Sequence, residues 1–461
     1  MTTMQIIGRP LGFQGEIVTP TSDGYDAARR VWNHAIDRYP AAILRCTSTD
    51  DVRLALALAR ERGLVVAVRG GGHSMAGLST CDDGLVIDLS PMTAITVDPE
   101  RRTAVAEPGL LWRDFDRATQ EHGLAVPGGE VSDTGIAGLT LGGGIGWLGR
   151  KHGLSCDNLR AVTMVTAAGD VVRASPDENA ELFWGIRGAG ANFGVVTSLE
   201  YDLHPVGTVY GGELIHPGFR DFAALRSMVD LAPTMPDEVR LMAALVTAPH
   251  APFVPEEARG KPVCVLAAAH SGPVDEGERV LAPLRAFGPP VVDTMRPQPY
   301  VELQQSVDKM IPPGRIAYVR SDFLGRLDDE ALEVLAEHHL AATSPYSQIL
   351  LHQMGGAISR VPADATAFAN RDAEWMLTAI AIWVDPAEDP EPHVRWTRGL
   401  WTAMRPWAVG TYVNHLGDEG DQRVREAYGA SYQRLAELKE AWDPEDVFRL
   451  NQHIPPRQRR V

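Results

Sequence analysis

Ten of the chain's 44 glycines fall between Gly128 and Gly153. Glycine at that density costs backbone entropy on folding and gives a core no side chains to pack. A chain accepts that cost where backbone must pass close to another loop or a ligand. The segment is therefore neither an ordinary strand nor an ordinary helix, and the sequence around it has to build the scaffold. A second glycine cluster has the same character. An apolar, strand-like run at 64–69 leads into Gly70-Gly71-Gly72, and His73 and Ser74 follow. The successive N–H groups of such a turn form a concavity suited to phosphate. His73 would then lie beside whatever carries the phosphate. A plain glycine turn with an incidental histidine fits the pattern equally well.

The scaffold is predicted from periodicity. Strands are expected at 41–46, 85–89, 103–106 and 162–166, and the alternation at 194–203 predicts a half-buried strand. Apolar spacing predicts helices at 24–37 and 112–122. Ser48, with Asp51 three residues on, reads as the cap of a helix over 52–62. From about 206 to 405 the texture changes. Proline-rich loops separate strand-like runs at 263–269, 348–352 and 377–384, with helical runs at 276–286 and 329–340. A long helix at 421–441 precedes the ending Phe448-Arg449-Leu450-Asn451-Gln452. The expected class is α+β, with two domains: 1–205 together with 406–461, and 206–405 built on an antiparallel sheet.

Composition narrows the function. A net charge of −17 argues against nucleic acid or anionic membrane as partner. No apolar run is long enough for a membrane span, and the first twenty residues lack a signal-peptide core, so a cytoplasmic location is expected. Cys46, Cys81, Cys156 and Cys264 are scattered without a CxxC pair, which is neither a disulfide framework nor a metal site. No metal is expected. Cys46 and Cys264 read as small buried hydrophobes, and Cys81 is assigned no role.

Two motifs are decoys. Gly72-His73-Ser74-Met75-Ala76-Gly77 is one residue too long for a hydrolase nucleophile elbow. Gly144, Gly146 and Gly149 satisfy G-x-G-x-x-G, but 139–143 is a poor strand and the glycines through Gly153 would break the following helix.

The stretches Arg69–Ser74, Pro127–Asn158, Gly188–Val196, Tyr412–Asn414 and Phe448–Pro456 resemble, in order, the berberine bridge enzyme-like branch of the vanillyl-alcohol oxidase flavoproteins, in its bacterial members. The resemblance implies a PCMH-type FAD-binding fold and an FAD-linked oxidase. It implies a covalent bond from His73 to the flavin 8α-methyl group. By the setting Gly153-Leu154-Ser155-Cys156-Asp157-Asn158 it implies a second bond from Cys156 to flavin C6; a buried, unreactive thiol is the alternative. It places Arg69, Gly70, Gly71, Gly72, Ser74 and Gly77 around the pyrophosphate turn. Gly135, Gly138, Gly142, Gly146 and Asn158 would be close to the cofactor, and Val196 near the adenine. Asn414, Asn451 and Gln452 would close the site from the C-terminal side.

Oxidising an alcohol by hydride transfer needs a base for the hydroxyl proton. Alcohol-oxidising relatives carry a second tyrosine after Y-x-N, where this chain reads Tyr412-Val413-Asn414-His415. His415 is the expected base and Tyr412 the other candidate. If this segment is a regular strand, His415 shares a face with Val413 and opposes Tyr412 and Asn414. Leu350 and His352 share a strand face and are expected at the substrate. The expected activity is oxidation of a small-molecule alcohol, sugar or secondary metabolite with dioxygen as acceptor. An oxygenase of natural-product biosynthesis and a catalytically idle FAD-binding protein are the alternatives. Oligomeric state stays open, a homodimer included.

Overall fold

The computed structural model describes residues 8–217, 223–308, 314–417 and 419–457; the last residues of the expected FAD domain, 458–461, lie outside these. Four strands make the first sheet: β1 (Glu16–Val18), β2 (Ala42–Arg45), β3 (Val66–Arg69) and β4 (Leu85–Asp88), in the order β1-β2-β4-β3. β4 runs parallel to both β2 and β3. The helix Thr49–Arg62 packs its apolar face on this sheet, and the Ser48 side chain accepts from Asp51 N–H, as the capping signal predicted.

The second sheet is antiparallel: β5 (Ile95–Asp98), β6 (Thr103–Ala106), β8 (Leu159–Thr166), β9 (Val171–Ala174) and β10 (Gly194–Asp202), in the order β5-β6-β10-β8-β9. A short ladder joins β7 (Leu124–Ala125) to β11 (His204–Pro205). The third sheet is the largest. It contains β12 (Thr208–Pro217), β13 (Val239–Thr247), β14 (Pro262–His270), β15 (Val292–Asp293), β16 (Arg296–Pro299), β17 (Ile316–Leu324), β18 (Gln348–Gln353), β19 (Trp375–Trp383) and β20 (Ala408–Gly410). Its path runs β15-β12-β14-β13-β18-β19-β17-β20, with β16 paired to β12.

Alternation sets the use of each face of this sheet. Leu214, Leu241, Leu266, Leu351 and Leu377 point into a core closed by the helices Ala223–Leu231, Asp329–Leu340 and Glu391–Ala403. The residues between them, among them Met242, Ala244, Val265, Leu350 and Thr378, line a cavity on the other side. One face of the sheet thus packs on a core and the other lines this cavity.

Local expectations failed where regular periodicity met tertiary constraint. The helix expected over 24–37 is confined to Tyr25–Arg29. The long C-terminal helix is two, Asp421–Tyr428 and Tyr432–Trp442, broken at Gly429, which has φ of 47°. Residues 412–415 are not a strand: Val413–His415 is a 3₁₀ turn. In a 3₁₀ turn residues three apart eclipse, so the rings of Tyr412 and His415 meet at 5.0 Å on one side of the chain. The G-x-G-x-x-G decoy follows a helix, Ile136–Leu141, not a strand.

A buried ion pair ties the C-terminal ending to this frame. Lys439 and Asp443 are wholly buried and lie 2.6 Å apart. The ammonium also donates to the carbonyls of Asn192 (3.0 Å) and Phe448 (2.8 Å), and Asp443 accepts from the N–H groups of Val447 and Phe448. Lys439→Ala leaves the Asp443 charge buried without its partner, a loss of about 3–5 kcal/mol. Chemical denaturation should show it, and an unchanged midpoint would mean the clamp contributes nothing.

Candidate active site

The turn after β3 and the glycine-rich segment meet backbone to backbone. A Cβ on Gly71 would lie 2.4 Å from the nitrogen of Gly135, and one on Gly135 would lie 2.5 Å from the nitrogen of Gly71. Only glycine at both positions allows this approach. Beside it runs a cavity of about 400 Å³. One end is lined by Gly70, Gly71, Gly72, His73 and Ser74, the middle by Gly129 to Leu141, and the far wall by the third sheet. Val196 of β10 and the ending Phe448 to Gln452 complete it.

His73 is fixed from three sides. Its ring stacks on Trp32 at 5.4 Å, its Nε2 lies 3.1 Å from Asp133 Oδ1, and its Nδ1 lies 3.5 Å from Thr134 Oγ1. Burial would raise the Asp133 carboxyl, but His73 outweighs it and holds it low.

Deeper in, Glu130 stands between Arg240 and His352. Its carboxylate lies 3.3 Å from the guanidinium of the wholly buried Arg240 and 3.2 Å from His352 Nδ1. Burial alone would raise Glu130; His352 and Arg240 reverse this and hold it well below the usual carboxylate range. His415 Nδ1 lies 3.3 Å from the Thr378 hydroxyl. Burial, reinforced by His352, lowers the His415 pKa to about 4, so its ring is neutral at neutral pH. The Tyr412 hydroxyl accepts from Gly144 N–H (3.1 Å) and from the Asn414 amide (2.9 Å), and burial pushes its pKa up to about 12. Tyr412 is thus a protonated anchor for the turn, and a poor base.

Of the residues singled out in the sequence, the cavity gathers Gly70, Gly71, Gly72, His73, Ser74, Gly135, Gly138, Val196, Leu350, His352, Tyr412, Asn414, His415, Asn451 and Gln452. Six others, Cys156 among them, lie off it. Arg69 forms a buried pair with Asp88 at 2.8 Å. Gly77 packs on Ile36, Gly142 on the Asn414 side chain and Gly146 on the Gly128 carbonyl. Asn158 donates to the carbonyls of His152 and Leu154.

Cys156 is the principal correction. Its backbone N–H is bonded to the Gly143 carbonyl, and its wholly buried side chain packs among Ile145, Leu154, Phe323, Phe368 and Tyr412. Burial and the adjacent Asp157 raise the thiol well above its ordinary range. The thiol is in the core and protonated, so it is not placed or poised to attack a group in the cavity.

Sequence reasoning missed Glu130, Asp133, Trp32 and Glu213. For the first two a signal existed: they are the only acidic residues between Gly128 and Gly149, in a stretch otherwise free of charge.

FAD fits what the cavity offers. The glycine nest meets the cavity at one end. Trp32 Nε1, Ser79 Oγ and Asn451 Oδ1 are buried without hydrogen-bond partners, and all three residues line the cavity. Buried polar atoms of this kind call for a ligand with polar groups along its length.

Comparison with known proteins agrees. The family model "FAD binding domain" matches residues 40–175, and "Berberine and berberine like" matches residues 411–455. A FAD-linked oxidoreductase of Dictyostelium discoideum is 33% identical over 430 residues, covering 93% of this chain and 91% of its own. The (R)-6-hydroxynicotine oxidase of Paenarthrobacter nicotinovorans is 31% identical, covering 98% of each. The crystal structure of 6-hydroxy-D-nicotine oxidase from Arthrobacter nicotinovorans superposes with a TM-score of 0.88 at 30% identity, over 98% of this chain and 100% of that one. Chitooligosaccharide oxidase, at 23% identity and a TM-score of 0.84, shares the fold. With its nest, its glycine-lined cavity and these relatives, the chain belongs to the berberine bridge enzyme-like family of FAD-linked oxidoreductases.

Proposed function

We propose that this protein is an oxidase that holds FAD through a single covalent bond to His73 and oxidises a small-molecule C–H group, with dioxygen as acceptor. The observation that carries the reading is one continuous cavity running from the glycine nest and His73 to the buried His352 on the far wall and the half-buried His415 on the adjoining turn. When bound, FAD supplies the acceptor for the substrate's hydride, and dioxygen then takes the electrons as hydrogen peroxide.

The chain's own residues supply position and proton transfer. Gly70, Gly71, Gly72 and Ser74 offer backbone N–H groups to the pyrophosphate. Asp133 beside Nε2 of His73 favours the tautomer with its proton there, which frees Nδ1 as the nucleophile. Residues 206–405 form the substrate side, and 1–205 with 406–461 the cofactor side. The third sheet and the ending Phe448 to Gln452 keep bulk water from the reacting carbon.

His415 takes the substrate proton. It is neutral at physiological pH, as a base must be, and Thr378 orients its ring. His352, held by Glu130, lies next to it, and the Glu130 carboxylate offsets the positive charge that forms on the pair. Tyr412 fixes the turn that carries His415.

The tether is tested by acid precipitation. Flavin should stay with the pellet, His73→Ala should release it entirely, and Cys156→Ala should leave it in place. Flavin in the supernatant of the parent would end the covalent reading. Near-stoichiometric peroxide during turnover supports the oxidase; a deficit, with heavy dioxygen entering the product, would favour an oxygenase.

The base has its own test. His415→Ala should slow anaerobic flavin reduction by about 10²–10⁴-fold while substrate binding changes much less. The base works only when unprotonated, so reduction should be level near neutral pH and fall as pH drops through about 4, where His415 becomes charged. An acid limb at pH 6–7, the ordinary histidine range, would move the role to another group.

A further inference from the structure

One carboxylate in the cavity has no partner among the described residues. Glu213 lies on β12, half-buried, among the residues that line the cavity. Its backbone is fixed: its N–H donates to Thr294 Oγ1 at 2.8 Å, and its carbonyl accepts from Thr294 N–H at 2.9 Å. Its side chain makes no hydrogen bond or ion pair among the described residues. Burial raises its carboxyl pKa, and no charged neighbour acts on it in either direction. Its surroundings on the cavity wall, Ala244, Val265 and Leu350, are apolar.

A half-buried, unpaired carboxylate destabilises a fold. Glu130, the other acid that lines the cavity, is compensated by Arg240 and His352. Among the described lining residues there is no lysine or arginine. An anionic substrate would therefore find no cation on the wall, and a cationic one would find a free carboxylate.

The sheet fixes the distance between this carboxylate and the histidines. Glu213 pairs with Ala267, Ala267 with Met242, and Met242 with His352. The four form one cross-strand row, in which Glu213, Met242 and His352 line the cavity and Ala267 packs beside Met242 in a buried cluster. Three strand spacings separate Glu213 from His352, roughly 14 Å.

We propose that Glu213 is a specificity-determining anchor for a protonated amine on the substrate, roughly 14 Å along the sheet from the histidine pair. The substrate is an elongated cation with an apolar middle that crosses Ala244 and Leu350, its oxidisable carbon at the end remote from the ammonium. The inference rests on the reading that this face of the cavity takes the substrate.

The test uses flavin-loaded enzyme and two probes, 4-phenylbutylammonium and the uncharged 4-phenylbutanol, titrated by calorimetry and by perturbation of the flavin absorption. The parent should bind the ammonium about ten-fold to a hundred-fold more tightly than the alcohol, and Glu213→Gln should abolish the difference. A second readout needs no probe. The carboxyl pKa is raised in the folded state, so the fold loses stability as pH rises through the carboxylate range. Glu213→Gln should therefore match the parent in thermal stability at low pH and exceed it by a margin that widens toward neutral. A parent with no ammonium preference, a Gln variant that keeps one, or a Gln variant less stable than the parent at neutral pH would each overturn the proposal. Protein that purifies without flavin would instead remove the functional reading beneath it.

Discussion

The contact between Gly71 and Gly135 is the constraint on which the site depends. Two loops, one following β3 of the first sheet and the other crossing between sheets, touch through backbone alone, and a methyl group on either would sit inside the other. The approach brings His73 against Asp133 and Thr134, side chains sixty residues away in sequence. A second close approach, Gly142 against the Asn414 side chain, carries the C-terminal turn onto the same segment. Asn414 in turn donates to the Leu139 carbonyl and to the Tyr412 hydroxyl. Glycines that look like a cost in the sequence are thus what lets three distant segments converge on one cavity.

Charge then links this convergence to the large sheet. Glu130 leaves the glycine-rich loop and reaches Arg240 on β13 and His352 on β18. Removing Glu130 would leave a guanidinium fully buried with only carbonyl partners, including that of Gln353. The pairing therefore sets the position of the loop against the sheet as well as the charge felt by the histidines. Arg150, from the same glycine-rich region, does a related job with backbone alone, donating to the carbonyls of Met235 and Val239.

Much of the fold was legible in the sequence because its signals are local. The Ser48 cap, the strand at Thr103–Ala106 and the helix Asp329–Leu340 are specified by neighbours a few residues apart, and they form as read. The two glycine clusters were legible as places of close approach, though Gly142 and Gly146 approach protein and not the cavity. Cys156 was misread for a physical reason: a motif fixes which residues adjoin a thiol in sequence, but Phe323 and Phe368, which enclose it, come from another part of the chain. The turn at Tyr412 was read as a strand because nothing within four residues announces that Gly144 N–H will capture the phenol oxygen. Glu213 could not be distinguished from an ordinary surface acid until the sheet order placed it in a row with His352.

The distribution of charge along the cavity is the last consequence of this architecture. At the His73 end, Asp133 is held ionised by an imidazole. In the middle, His415 is pressed toward neutrality by burial and by His352. A neutral imidazole can accept a proton, and its burial makes any lasting positive charge there costly. Glu130, held ionised by His352 and by Arg240, acts against these effects and raises the His415 proton affinity. Arg240 holds that carboxylate from β13, so the charge that faces the two histidines is fixed by the contact between the glycine-rich loop and the large sheet.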